Sequence, residues 1–402
     1  MIGAQIKQAR LSAGLTLSGV VSRLAERGVT ITKAGISKYE LGRSTPSASF
    51  LLALADALNV KASYFLHEPT AEIEWLAFRK HSSLTASRQE QIKSRAATTA
   101  DRQFELTVLL YPEEQPVFPE PSPARTEDEV EAAAGVLRNA WNLGDAPIES
   151  VTQAVEDHGG IVVAWDEDAG KFDGLSAWIN GRFPLAVINS HVPRDRSRYN
   201  LAHELGHMAL SAEGLSDNEQ ERIAHRFAAA FLVPADIARH ELGPARHHLD
   251  IHELGLLKRK YGLSIQAWIR RAYDLGIINH AEYSRLYMMM SARGMRKSEP
   301  YDLPGRETPT RLQQMTLHAL AEGLITEEKA LEVCPEAVTP AVAERPVGQR
   351  YTARELLRLP REERDRILAA AAQAAEEEYR ENPALSDFEA FGEDDLYDEY
   401  PQ

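Results

Sequence analysis

The 402 residues contain a single cysteine, Cys334. No disulfide can form within the chain, which excludes the small secreted folds built on such bridges and fits a reducing cytoplasm, the expected location. Long hydrophobic runs are also missing. No stretch approaches the ~18–20 apolar residues that a membrane helix needs, so no membrane partner is expected. The opening MIGAQIKQAR lacks the apolar core of a secretory signal. A surplus of positive charge is absent too, and the formal net charge of -15 argues against a protein coated in nucleic acid. No segment repeats internally. What remains is an ordinary globular composition, 44% hydrophobic and 26% charged, in a chain long enough for two or three cores.

Charge is unevenly placed. Residues 1–68 carry eight basic against four acidic side chains, and residues 346–402 seven against fifteen, which points to different partners at the two ends. Residues 1–68 read as five short helices with apolar positions such as Ile6, Leu24, Ile36 and Leu54 at helical spacing. A polar helical stretch is predicted over 72–110, carrying Trp75, Phe78, Ile92 and Phe104. The five prolines of PEEQPVFPEPSPAR (112–125) predict a linker, because neither a helix nor a central strand tolerates them. Thr126 with Glu129 reads as a capping box opening a helix that ends near Trp141. A helix over 148–158 follows, then strands at IVVAW (161–165), LSAWI (175–179) and LAVIN (185–189). Asn180-Gly181 marks a hairpin between the last two. Helices return over 198–231, 250–260, 264–275 and 280–293.

RYNLAHELGHMALS sets His203, Glu204 and His207 in an H-E-x-x-H pattern. Residues four apart share a helix face, so both imidazoles can reach one ion, and Zn2+ is the expected cofactor. Glu204 lies one residue along, placed to take a proton from water at the ion and pass it to a leaving amine. Two surface histidines would be the plain alternative. Ala202, Leu205, Met208, Ala209 and Leu210, however, make this helix apolar, an odd setting for His-Glu-His without a ligand. A catalytic zinc also needs a third protein ligand and one open position. NEQERIAHRFAAAFLVP offers Glu219, Glu221 and His225; the last two share a face, and Glu219 reads as first-turn charge. His247, His248 and His252 read as ordinary surface histidines.

These motifs resemble the ImmA/IrrE family of metallopeptidases. HELGH is followed one loop later by E-x-x-A-[N/D]-x-F-A-A-x-x-L-x-P, which here runs from Glu221 through Ala224, Phe227, Ala228, Ala229 and Leu232 to Pro234. DGLSAWINGRFPLAVIN, LKRKYGLSIQAWIRRAYDLGII and ARGMRKSEP are similar to members that carry a DNA-binding domain, and the likeness extends over roughly residues 1–330. The resemblance implies a zincin-like α+β domain, puts the third zinc ligand on Glu221, and implies cleavage of a protein such as a repressor. His225 stands where the family has Asn or Asp. It either hydrogen-bonds behind the ligands or competes for the metal. Zincin-type peptidases hold substrate as a strand added to a sheet edge, and 185–189 is either that edge or an ordinary core strand.

At the other end, TKAGISKYELGRSTPS resembles the recognition-helix region of the Cro/CI-type (XRE) helix-turn-helix, with Thr32 as N-cap. The resemblance implies double-stranded DNA as a partner. Thr32, Lys33, Ala34, Ser37 and Lys38 would face the major groove or its phosphates, and Arg43 the backbone. A helical bundle for protein contacts is the alternative, which the local positive charge disfavours. Such domains often bind paired half-sites, so a homodimer is one arrangement to expect. Residues 346–402 resemble short antitoxins encoded beside bacterial nuclease toxins. A charged helix over 353–380 precedes an acidic segment whose Phe388, Phe391, Leu396, Tyr397 and Tyr400 would anchor in a basic toxin groove. A solubilising tail is the plain alternative.

The expected whole is multidomain. It comprises an all-α helix-turn-helix domain (1–68), a helical connector and Pro-rich linker (69–125), an α+β zincin-like metallopeptidase domain with a small sheet (126–300), a helical segment (301–345) and a charged helix with acidic tail (346–402). The leading reading is a bacterial DNA-binding regulatory zinc endopeptidase. The alternative is a transcriptional regulator and antitoxin of a toxin-antitoxin operon, with a structural or latent zinc site.

Overall fold

Four helices, α1 (Ile2–Ser12), α2 (Leu17–Glu26), α3 (Lys33–Glu40) and α4 (Ala48–Leu58), and a 3-10 turn at Ala62–Leu66 enclose Ile6, Val20, Leu24, Ile36, Leu54 and Phe65. Thr16, Thr32 and Ser47 start α2, α3 and α4 by accepting the backbone N–H of Gly19, Gly35 and Phe50. Each bond satisfies a donor that a helix start otherwise leaves unpaired. Arg10 fastens α1 to the end of α3 by a forked pair with Glu40, at 2.6 and 2.9 Å. In this computed structural model the described residues are 2–76, 84–166, 172–296, 298–338, 364–365 and 368–369. Residues 1–340 make one unit and 341–402 another. The charged helix and acidic segment expected at 346–402 lie, but for four positions, outside the described residues.

The stretch 72–110 is not one helix. Ile73–Trp75 form a strand, β1, antiparallel to β4 (Gly174–Ile179), and α5 (Ala86–Leu110) starts only after the N-cap Thr85. Three residues are too few to display a strand period, and their partner is remote in sequence. Asp101 of α5 steers the chain into this path. Its Oδ1 accepts the N–H groups of Thr70 (2.8 Å) and Ala71 (2.9 Å), and its Oδ2 lies 2.6 Å from His67 Nε2.

The proline-rich segment is likewise no free linker. Val117 donates to the His158 carbonyl (3.0 Å) and accepts from the Trp141 indole, and Phe118 packs edge-on against Trp141 and Trp178. β2 (Ser122–Pro123) then pairs in parallel with β6 (Leu210–Ser211). Proline forbids an interior ladder position but not this short edge pairing.

The mixed α/β body follows as α6 (Glu127–Ala140), α7 (Val151–Asp157), β3 (Ile161–Trp165), β4, β5 (Phe183–Asn189), α8 (Arg194–Ala209), β6 and α9 (Asp217–Leu232). Strand order in the sheet is β1-β4-β5-β3, with β5 parallel to β3 and antiparallel to β4. Of the two readings of 185–189, the sheet order gives the core strand and rules out the substrate edge, because the strand is paired on both sides. Alternation along it sends Leu185 and Val187 to a core with Ile92, Ala96 and Phe104 of α5. Ala186 and Ile188 go to the opposite core, with Leu201 and Leu205 of α8.

Helices α10 (Ala235–Leu242), α11 (Ile251–Tyr261), α12 (Ile265–Asp274), α13 (His280–Ala292), α14 (Arg311–Ala321), α15 (Glu327–Val333) and α16 (Pro335–Val338) complete the unit. Glu307 stitches this part to the body. Its fully buried carboxylate meets Arg198 of α8 at 2.8 Å and accepts from Ser150 Oγ (2.8 Å) and Thr152 N (3.0 Å) at the start of α7. Removing one partner strands the other charge, so Glu307→Ala should cost ~3–5 kcal/mol of stability in urea denaturation. A loss within error would show the pair to be dispensable.

α14 has no side-chain cap of its own; Glu156 of α7 accepts the N–H groups of Thr310 (3.1 Å) and Arg311 (3.2 Å). Burial pushes this carboxyl up to about 7, against the pull of those bonds. A raised folded value means that its contribution is present at low pH and is lost as pH rises through about 7. Unfolding free energy should therefore drop by on the order of 1–3 kcal/mol between about pH 5 and about pH 8, and Glu156→Gln should flatten that slope.

Candidate metal centre

Helices α8 and α9 touch at Gly206. A Cβ there would lie 3.2 Å from the Cα and carbonyl oxygen of Ala224 and 3.2 Å from Phe227 Cβ. The close approach brings the carboxylate of Glu221, on α9, over His203 and His207, on consecutive turns of α8. His203 Nε2 lies 2.9 Å from His207 Nε2 and 3.6 Å from Glu221 Oε2, and His207 Nε2 lies 3.5 Å from Glu221 Oε1. A tetrahedral zinc with bonds of ~2.0–2.1 Å sets its ligand atoms ~3.3–3.4 Å apart. The three observed separations straddle that value, and two imidazoles with one carboxylate are a zinc donor set. His203 is 1% exposed, whereas the side chains of His207 and Glu221 are 19% and 24% exposed. The group is closed behind and open in front, as a catalytic site requires.

Glu204 is buried beside this group. Ser176 Oγ donates to its Oε2 at 2.9 Å, and a Cβ at Gly174 would come within 2.8 Å of its Oε1. Two residues of β4 thus fix the carboxylate, one by bonding and one by leaving room. Neither was singled out from sequence. The available signal was a serine at an inward position of an otherwise apolar strand.

Among the described residues the three-donor group is His203, His207 and Glu221, without His225. The His225 ring packs against that of His203 at 4.3 Å between centroids, and Tyr199, one turn before His203, donates its hydroxyl to the His225 carbonyl at 3.0 Å. Tyr199 also escaped the sequence reading. Glu219 accepts the Ser216 N–H at 2.8 Å in the capping box of α9. His248 pairs with Glu282, and His252 with Tyr301.

In the N-terminal part, Lys33, Ala34, Lys38 and Arg43 are exposed on or just beyond α3, and Ser37 is half-buried. Thr32 is exposed too, but its hydroxyl oxygen is engaged as the N-cap of α3, at 3.1 Å from Gly35 N.

Because the α8–α9 contact sets the donor spacing, Gly206→Val should weaken zinc binding by about 10–100-fold, the usual cost of disturbing the groups behind metal ligands. Competition with a chromogenic chelator measures it; unchanged affinity would show that the contact does not set the site.

Residues 156–273 match the profile of the IrrE N-terminal-like domain, and residues 6–65 match that of the helix-turn-helix family. No curated protein matches the chain. The first match spans β3 to α12 and contains all three donors together with Glu204. Combined with the His203-Glu204-x-x-His207 cluster, it supports assignment of the chain as a zinc metallopeptidase that carries a helix-turn-helix domain.

Proposed function

We propose that the protein is a DNA-binding regulatory zinc endopeptidase that cleaves a protein partner such as a transcriptional repressor. The observation that carries this reading is the convergence of His203, His207 and Glu221 next to a buried Glu204, in a chain with an exposed recognition helix.

His203, His207 and Glu221 would hold the ion. Bound zinc supplies Lewis acidity, which makes water more acidic and a peptide carbonyl more electrophilic. Glu204 takes the proton of the attacking water and delivers it to the leaving nitrogen, and the Ser176 hydroxyl holds it in place for both transfers. The Tyr199–His225 pair backs His203 and fixes its ring, a supporting role for the residue that departs from the family pattern.

With 185–189 buried in the sheet, the strand that flanks the centre is β4. β1 pairs with it as far as Trp75↔Ala177, and Leu76 adds a bond to the Ser176 carbonyl at 3.0 Å. A substrate strand would add at Gly174, where a Cβ would come within 2.8 Å of Glu204 Oε1. At the other end Lys33, Ala34, Ser37 and Lys38 would read the major groove, with Arg43 on a phosphate, Thr32 shaping the helix start, and a homodimer spanning two half-sites.

Glu204→Gln should keep its zinc and lose about 10²–10⁴-fold in cleavage. The same variant retains uncut partners for identification by mass spectrometry after co-purification. A variant that cleaves as fast as the parent would remove Glu204 from its role.

A further inference from the structure

A cavity of about 540 Å³ opens beside the metal centre, between the starts of α6 and α9 and the surface of α12. Glu221 and His225 line it, and so do four arginines, Arg125, Arg222, Arg226 and Arg270. Two of the four are committed. Arg226 holds Glu131 at 2.6 Å, Glu127 at 3.2 Å and Asp274 at 3.7 Å; Arg270 holds Asp274 at 2.8 Å. Arg125 and Arg222 have no side-chain ion pair among the described residues. Both act electrostatically on Glu219, and Arg125 also on Glu129, but those carboxylates are engaged in the capping boxes of α9 and α6.

Two uncommitted guanidinium groups therefore face a concave space whose wall includes a metal-ligating carboxylate. A concave, partly apolar wall focuses their field, and guanidinium forks match carboxylate geometry better than that of any neutral group. The half-buried Tyr199 ring and Ala267 supply apolar surface on which the methylene stem of an acidic side chain can lie.

We propose that this cavity is a subsite for a substrate carboxylate, so that the enzyme selects an acidic group close to the bond it cuts. The proposal rests on the peptidase reading above. The carboxylate comes either from an internal Asp or Glu or from a free chain end, and the same two arginines serve both.

Fluorescently labelled peptides Ala-Ala-Glu-Ala-Ala and Ala-Ala-Gln-Ala-Ala, both C-terminally amidated, together with the Gln peptide bearing a free C-terminus, test it. Binding is read by anisotropy on the zinc-loaded full chain carrying Glu204→Gln. A carboxylate-bearing peptide should bind about 5-fold more tightly than the amidated Gln peptide, the scale of two partly exposed ion contacts. Arg125→Ala with Arg222→Ala should abolish the difference, and Lys at both positions should restore part of it. A preference for the free chain end over internal Glu supports the same subsite reading termini. Equal affinities for all three peptides, or a preference that survives the double Ala substitution in a folded, zinc-containing protein, overturn the proposal. Cleavage by the parent chain is scored separately. Cleavage without acid preference sinks the subsite and spares the peptidase; acid-selective binding without cleavage does the reverse.

Discussion

The whole site depends on one absent side chain. α8 and α9 approach so closely at Gly206 that backbone and Cβ atoms of α9 occupy the space where a larger residue would project. Two histidines on one helix can offer only two ligands; the third must come from elsewhere, within a few tenths of an ångström. The helix contact sets that distance. Ile223, Phe227 and Phe231 then bury the inward face of α9 against the core shared with Leu201 and Leu205, and so hold the contact shut. The apolar residues that looked out of place around His-Glu-His in the sequence are the means by which the donors are held.

What could be read from the chain, and what could not, divides along sequence distance. His203, Glu204 and His207 lie on adjacent turns of one helix, where periodicity shows them together; on the next helix periodicity left Glu221 and His225 on one face, and the family resemblance pointed to Glu221. The capping box at Thr126 was equally local, with both reciprocal bonds made; the one at Ser216 was missed, its Glu219 read only as first-turn charge. Ser176 and Gly174 act on Glu204 from a strand whose position follows from sheet order, which no period encodes. The same gap explains 185–189. A strand just before α8 was a reasonable edge, yet β4 and β3, both earlier in the chain, pair with it on either side and leave it central. For 72–76 the helix expectation failed because a three-residue strand is defined by its partner. The proline-rich segment was rightly denied a helix or a central strand, but that was mistaken for lack of packing, and a short edge pairing of β2 with β6 was missed. Phe118 and the Trp141 indole make it a strap.

That strand β1 belongs to the sheet changes how the two functional ends relate. The helix-turn-helix part lies along α5 through a seam of small polar groups: Ser12 meets Ser94 at 2.9 Å, and Ser94 donates to the Gln8 carbonyl at 2.8 Å. From α5, Asp101 gathers His67, Thr70 and Ala71, and Asn180 at the β4–β5 turn accepts from Glu72 N at 2.7 Å. Leu76 then bonds Ser176, whose hydroxyl holds Glu204. The helix-turn-helix part and Glu204 are thus joined through α5 and a short run of hydrogen bonds, most of them made by side chains, with no Gly/Ser tether in the described part of the path. Such a connection transmits orientation. A chain seated on DNA by α3 would present its cleft in one direction, and a partner bound at a neighbouring position would meet that cleft or miss it by geometry alone. Selection by placement in this sense needs no conformational switch, because the hydrogen bonds that build the sheet already determine which way the active carboxylate faces.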